Sequence, residues 1–284
     1  MQIKSAVSVL KASFNHWQNH RASRMGAALS YYTIFSIIPI LTLIVIIISP
    51  FLNSSSIQAA IIQQVRTLIN VQSADFIQSL LVGLSTTQFD SFTVLVSIGT
   101  LIVGAVGVFY ELKNSLDDLW DTSQSTKGMK DWRYFFSARL ISLSMIPILG
   151  LLLMASLIFS TFLSYISGYS PVLANMTYLF QLSTFVFSFF ILTFLFTFVY
   201  RFLPERKLPW KELIRGALIT TLLFLVGKYI IGIYIAELAG TSIFGAAGAF
   251  IVLLLWVYYS VQIILFGASL TYVYSRRYGH LKDR

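Results

Sequence analysis

The chain has 284 residues, 57% hydrophobic and only 11% charged, with a mean hydropathy of +0.78. A globular chain carries about 25% charged residues because it must cover itself against water, so most of this one's surface must face lipid. Cysteine is absent, which excludes disulfides and thiolate metal sites. The net charge of +9 has to be explained by its distribution along the chain.

In chain order, Ile3, Val7, Leu10, Phe14 and Trp17 are spaced four, three, four and three apart, one helical stripe with Lys4, Ser8, Lys11 and Asn15 off it. Residues 1–28 therefore read as a cytoplasmic interfacial amphipathic helix, with Trp17 at headgroup depth. No signal-peptide pattern of an apolar core followed by a small-residue cleavage site is present. A first membrane span covers about 29–51, the length that crosses a bilayer core. It carries Tyr31, Tyr32, Thr33 and Ser36, and Pro39 removes the partner of the Phe35 carbonyl, which predicts a kink.

Residues 52–90 are rich in Ser, Gln, Asn and Thr. Within them, 57–69 and 76–84 read as short outer amphipathic helices, either a lid or a surface connection. A second span, about 91–110, holds Gly99, Gly104 and Gly107, which permit close helix approach. Glu111, Lys113, Asp117, Asp118 and Asp121 then read as a water-facing loop that returns through Trp132, Tyr134, Phe135 and Phe136 at an interface. A third span covers about 139–166, and a fourth, heavy in phenylalanine and read as the most lipid-exposed, about 176–203. After the charged loop Pro204–Lys211, a fifth span (213–238) contains Lys228. A sixth (249–274) precedes the tail 275–284.

The expected fold is thus an all-α integral membrane protein, a single membrane domain of six transmembrane helices. Eighteen of the 20 lysines and arginines fall on alternate segments; Arg66 and Lys228 are the exceptions. By the positive-inside rule both termini are cytoplasmic, and the basic charge reports topology. A nucleic-acid surface would need clustered charge with aromatic stacking platforms, so no nucleic-acid partner is expected. The expected partners are membrane lipids; oligomeric state is left open.

Polar groups in hydrocarbon are costly and usually face a wet cavity or a neighbouring helix. Tyr32, Ser36 and Pro39 share one face of the first span, and Tyr258, Gln262 and Ser269 one stripe of the sixth. The two faces are expected to meet inside the bundle. Ser36 reads best as bonding back to the Tyr32 carbonyl. Lys228 has Asp90, Glu237, a carbonyl or a tyrosine as candidate partners. For Lys228 and Gln262 a cavity and simple packing glue stand as equal alternatives. The hexapeptide S-x-I-P-I-L occurs at 36–41 and again at 144–149, so Pro147 would free the Leu143 carbonyl as Pro39 frees that of Phe35.

Enzyme signals are poor. His16 and His20 have the i,i+4 spacing of helical metal ligands, but no acid lies near them in sequence, and a solvated polar face is the preferred reading. His280 stands alone in the basic tail. No phosphate-binding loop, nucleophile elbow or acid cluster is present, so no catalytic residue, metal or cofactor is expected.

Three stretches carry a family resemblance: RASRMGAALSYYTIFSIIPIL at 21–41, YRFLPERKLPWKELIRGAL at 200–218 and FGAAGAFIVLLLWVYYSVQIILFGASLTYVY at 244–274. Over nearly its whole length the chain resembles the YihY/virulence factor BrkB family of bacterial inner-membrane proteins. The matching positions are Ala28, Tyr31, Ser36, Pro39, Pro204, Gly216, Tyr234, Gly245, Gly248, Trp256, Tyr258, Gly267 and Ala268. Family members commonly carry an acid where this chain has Ser269. The resemblance implies a six-helix protein of the bacterial inner membrane, linked to virulence or envelope lipid export. It also implies an old label for tRNA processing, which the residues here do not support, since nuclease chemistry wants clustered acids or histidines around metal. The preferred function is export of an amphipathic or lipid-like substrate along a path lined by Tyr32, Ser36, Pro39, Pro147, Lys228, Tyr258, Gln262 and Ser269. The alternative is a non-transporting scaffold with a dry interior.

Overall fold

The computed structural model describes residues 2–48, 71–85, 91–122, 177–240 and 245–282, together with 59, 62, 63 and 66. Among these, seven helices are formed: α1 Gln2–Asn19, α2 Ala22–Ile48, α3 Val71–Ser85, α4 Ser91–Leu119, α5 Thr177–Phe202, α6 Trp210–Gly240 and α7 Gly245–Tyr278. Three of them, over Phe185–Phe202, Trp210–Tyr234 and Phe250–Tyr278, are long and apolar enough to cross a membrane. The segment 139–166 and most of 57–69 lie outside the described residues. Two compact units form: Met1–His20 with Leu116–Leu222 and Phe266–Arg284, and Arg21–Ser115 with Leu223–Leu265.

In the first unit, α1 is turned so that its polar side meets protein. Val9 and Ser13 are buried and His16 and His20 half-buried, while Val7, Leu10 and Phe14 are exposed. An apolar stripe left outward on a membrane protein is the pattern of a helix with lipid beyond it. The chain has no native thiol, so Phe14→Cys gives a unique spin-label site. In liposomes that label is expected to relax with dissolved oxygen far more than with a water-soluble nickel chelate; the reverse ranking would place the stripe in water.

The second expected span differs from its predicted limits. Helix α4 continues to Leu119, so Glu111, Lys113, Asp117 and Asp118 are helical and do not form a water-facing loop. The reason is a buried stripe: Leu116, Leu119 and Trp120 are fully buried, and ordering them offsets the cost of Asp117 nearby. The helix stops at Asp121, whose φ of 52° is left-handed. There the Asp121 N–H donates to the Asp118 carbonyl at 3.2 Å and the Thr122 N–H to the Asp117 carbonyl at 2.8 Å, the double closure that satisfies orphan carbonyls at a helix end.

The loop after α5 is charged, as its sequence indicates, but its charges serve structure. Lys207 Nζ donates to the carbonyls of Arg201, Phe202 and Pro204, placing a cation at the C-terminal end of α5. Arg201 Nη1 donates to the Leu208 carbonyl at 2.8 Å, and the Glu205 N–H donates to Asp117 Oδ1 at 2.7 Å. Pro204 and Leu208 are buried.

Helices α6 and α7 meet through two glycine–threonine contacts. A Cβ on Gly216 would lie 2.8 Å from Thr271 Cβ, and one on Gly267 would lie 2.8 Å from Thr220 Cγ2 and 2.6 Å from the Tyr200 hydroxyl. The pairing 216–271 and 220–267 makes this stretch antiparallel, each helix offering Gly and Thr one turn apart. Each threonine donates to the glycine carbonyl four residues back, at 2.8 and 2.7 Å, so the knobs enter the contact with their hydroxyls satisfied.

In the second unit, Ile34 of α2, Ile77 and Leu81 of α3, and Leu253 and Val257 of α7 form one apolar cluster. Helix α3, predicted over 76–84 as a lid or a surface connection, begins earlier, at Val71, and lays Ile77 and Leu81 into this cluster. In each of the three candidate spans, the phenylalanine-rich α5 included, 28% of the window is buried.

Candidate functional site

Ser36, Gln262 and Ser269, of the expected pathway residues, make packing contacts or hydrogen bonds to neighbouring elements. Ser36 is buried and donates to the Tyr32 carbonyl at 2.8 Å. A Cβ on Gly104 would meet Ser36 Cβ at 3.3 Å, and one on Gly107 would meet the Tyr32 ring at 2.9 Å. The polar face of α2 thus rests on the glycines of α4, which correct the expected pairing with the Tyr258–Gln262 stripe. Gly99, predicted to act likewise, has nothing among the described residues within 4 Å of where a Cβ would stand. Gln262 packs on Gly26 and its Nε2 reaches the Ala22 and Ser23 carbonyls at 3.5 and 3.3 Å, while its Oε1 is buried without a partner. Pro39 lies within the continuous α2; Pro147 and Asp90 lie outside the described residues.

Lys228 is half-buried in α6 and lines a crevice with Phe224, Ile231, Trp256, Tyr259 and Ser260, too tight to admit a water molecule. Trp256 meets Phe224 edge-on at 6.1 Å. Tyr258 is half-buried one residue away from that wall. Of the remaining family positions, Ala28 is half-buried, Tyr31 is exposed and tilted against Phe35 at 4.5 Å, Tyr234 is exposed, and Gly245 and Gly248 begin α7.

Ser269 is fully buried and belongs to a different constellation. Its hydroxyl donates to the Ser13 carbonyl at 2.9 Å and stands 3.0 Å from His16 Nδ1. Because the serine proton is committed to Ser13, Nδ1 carries the ring hydrogen and donates to Ser269 Oγ. His16 Nε2 is then the bare nitrogen, buried and without a hydrogen-bond partner among the described residues. Burial, with His20 and Arg276 as neighbours, holds His16 down to about 4 against the opposing pull of Asp121, so its imidazole is neutral at physiological pH.

His20 stacks beside His16 with ring centroids 4.2 Å apart. Its Nδ1 lies 2.8 Å from the His16 carbonyl and its Nε2 lies 3.2 Å from Asp121 Oδ1. Asp121 Oδ2 accepts from the Tyr272 hydroxyl at 2.7 Å. Burial alone would raise the Asp121 carboxyl, but the hydrogen bonds from Tyr272 and His20 outweigh it and hold it below its ordinary value. The i,i+4 histidine spacing was visible in sequence; the acid, 101 residues away, arrives only through the left-handed turn at Asp121.

Residues 13–284 match the family described as Virulence factor BrkB. A protein of Alcanivorax borkumensis named UPF0761 membrane protein is 29% identical over 281 residues, covering 94% of this chain and 60% of that one. Proteins of the same name from Psychromonas ingrahamii and Haemophilus influenzae are 26% and 24% identical, over 86% and 90% of this chain and 79% and 91% of theirs. The chain therefore spans about 60% of the Alcanivorax relative's length. No solved structure matches it.

Proposed function

The chain belongs to the Virulence factor BrkB family, is a membrane protein, and on that premise we propose that it moves an amphipathic, lipid-like substrate across the bacterial inner membrane. The observation that carries this reading is Lys228, a cation in an apolar helix beside Phe224, Trp256 and Tyr259. Ionisable groups at membrane depth are expensive and are kept for a task. A cation against aromatic walls suits a substrate with an anionic head and an apolar body. Under this proposal the chain has six spans with both termini cytoplasmic, as its basic residues indicate, and the closed crevice opens when α6 and α7 shift.

The test uses proteoliposomes holding a fluorescent, dithionite-bleachable phosphatidylserine. Lys228→Leu is expected to slow its transfer about ten- to a hundredfold, since a charge-assisted hydrogen bond is worth about 1.5–3 kcal/mol; Lys228→Arg is expected to retain part of it. Equal transfer by wild type and Lys228→Leu at equal folded content would remove Lys228 from the mechanism. The scaffold reading has its own support, the packing of Tyr32 and Ser36 onto Gly107 and Gly104. It predicts transfer by wild type no faster than in empty vesicles.

A further inference from the structure

The cluster at the end of α1 plays no part in the proposed transfer path, yet its hydrogen bonds are left in a particular state. Both ring nitrogens of His20 face oxygen acceptors, the His16 carbonyl and Asp121 Oδ1. A neutral imidazole has one N–H, so one of these contacts needs a further positive charge, either a second proton or a metal ion. His16 presents the complementary feature: a buried ring whose Nε2 has no hydrogen-bond partner among the described residues.

We propose that His16, His20 and Asp121 bind a divalent transition-metal ion of the zinc class. One ring nitrogen of each histidine and one oxygen of Asp121 lie within 4.8 Å of one another. Metal–ligand bonds of about 2.0–2.1 Å would draw such atoms to a spacing of about 3.3 Å; His20 Nε2 and Asp121 Oδ1 already stand at 3.2 Å. Each ligand is also held from behind, as metal ligands usually are. The His16 Nδ1–H is fixed by Ser269, the His20 Nδ1–H by the His16 carbonyl, and Asp121 Oδ2 by Tyr272. Two imidazoles and a carboxylate suit zinc, cobalt or nickel rather than calcium or magnesium. Three protein ligands leave a further coordination position for water.

The positive neighbours use other atoms. Arg276 Nη1 lies 3.9 Å from Asp121 Oδ2 and is largely exposed; Arg206 reaches the Asp121 carbonyl and the Tyr272 hydroxyl. They lower the affinity for a dication without occupying Oδ1. A bound ion would join α1 to the end of α4.

Cobalt(II) tests this directly, because its visible absorption reports coordination by nitrogen and oxygen. Full-length protein in detergent, with any affinity tag removed, is expected to bind one Co2+ per chain, and added Zn2+ is expected to abolish the band. His20→Gln and Asp121→Asn should each lose the band. Tyr272→Phe should weaken binding about ten- to a hundredfold through the outer shell; His280→Gln should leave it unchanged. Asp121 is half-exposed, so Asp121→Asn keeps the fold, and Zn2+ should raise the melting temperature of wild type but not of this variant. A wild type without a band, or a band that survives in both His20→Gln and Asp121→Asn, overturns the proposal.

Discussion

Gly267→Val is expected to yield little folded protein. Two side chains from two helices, Thr220 and Tyr200, converge on the Gly267 Cα. Both are fully buried, and their oxygens lie 3.3 Å apart. Neither can retreat: Thr220 is tied to the Gly216 carbonyl, and the Tyr200 ring packs against Trp120 with centroids 6.4 Å apart. Overpacking a rigid site costs about 1–3 kcal/mol per methylene-scale intrusion; a β-branched side chain brings several such atoms against a total stability of about 5–15 kcal/mol. Even Gly267→Ala should destabilise, although alanine gains about 1 kcal/mol of helix propensity. Gly99→Ala, with nothing among the described residues within 4 Å of its Cβ, should keep that gain and be neutral or stabilising. The measurement is the monodisperse fraction in size exclusion together with the melting temperature in detergent. Adding Thr220→Ala to Gly267→Ala should recover part of the loss, because the two positions touch and their effects are not additive.

Trp120→Ala is the second large loss. The indole is fully buried and its Nε1–H donates to the Ala268 carbonyl at 3.1 Å, fastening the end of α4 to α7. Large-to-small changes of a buried tryptophan cost about 3–5 kcal/mol, since the lining atoms lose their dispersion partners across the void. Trp120→Phe keeps most of the volume and loses the donor, so its cost should be nearer 1 kcal/mol. Asp121 follows Trp120 directly, and the alanine variant should therefore also lose the cobalt band, whereas the phenylalanine variant should keep it. A Trp120→Ala protein melting like wild type would mean that this end of α4 does not contribute to the fold.

What could be read from the residues differs by physical type. Apolar length announced the helices over 177–202, 210–240 and 245–278, because a stretch of about twenty predominantly apolar residues has few other fates. The back-bond of Ser36 to Tyr32 is local and was legible for the same reason: it needs only helical geometry. The continuation of α4 through Glu111, Lys113, Asp117 and Asp118 was not, because five charges in eleven residues imitate a solvated loop, and only burial of Leu116, Leu119 and Trp120 overrides them. The partners of α3 are not legible for a similar reason: its polar residues resemble a surface segment, and only the tertiary fold brings Ile77 and Leu81 to Ile34 and Val257. The stripe on α1 was visible, but a stripe does not say whether protein or lipid lies against it. Asp121 could not be joined to His16 and His20 by spacing, since it is tertiary structure that unites them.

Transfer of an amphipathic substrate is read out with wild-type protein in sealed liposomes carrying the fluorescent phosphatidylserine in both leaflets. Dithionite added outside bleaches only the outer leaflet of empty vesicles. With the protein present, bleaching is expected to extend to the inner-leaflet probe while the vesicles stay sealed. Bleaching confined to the outer leaflet, with folded protein confirmed in the same vesicles, would contradict it.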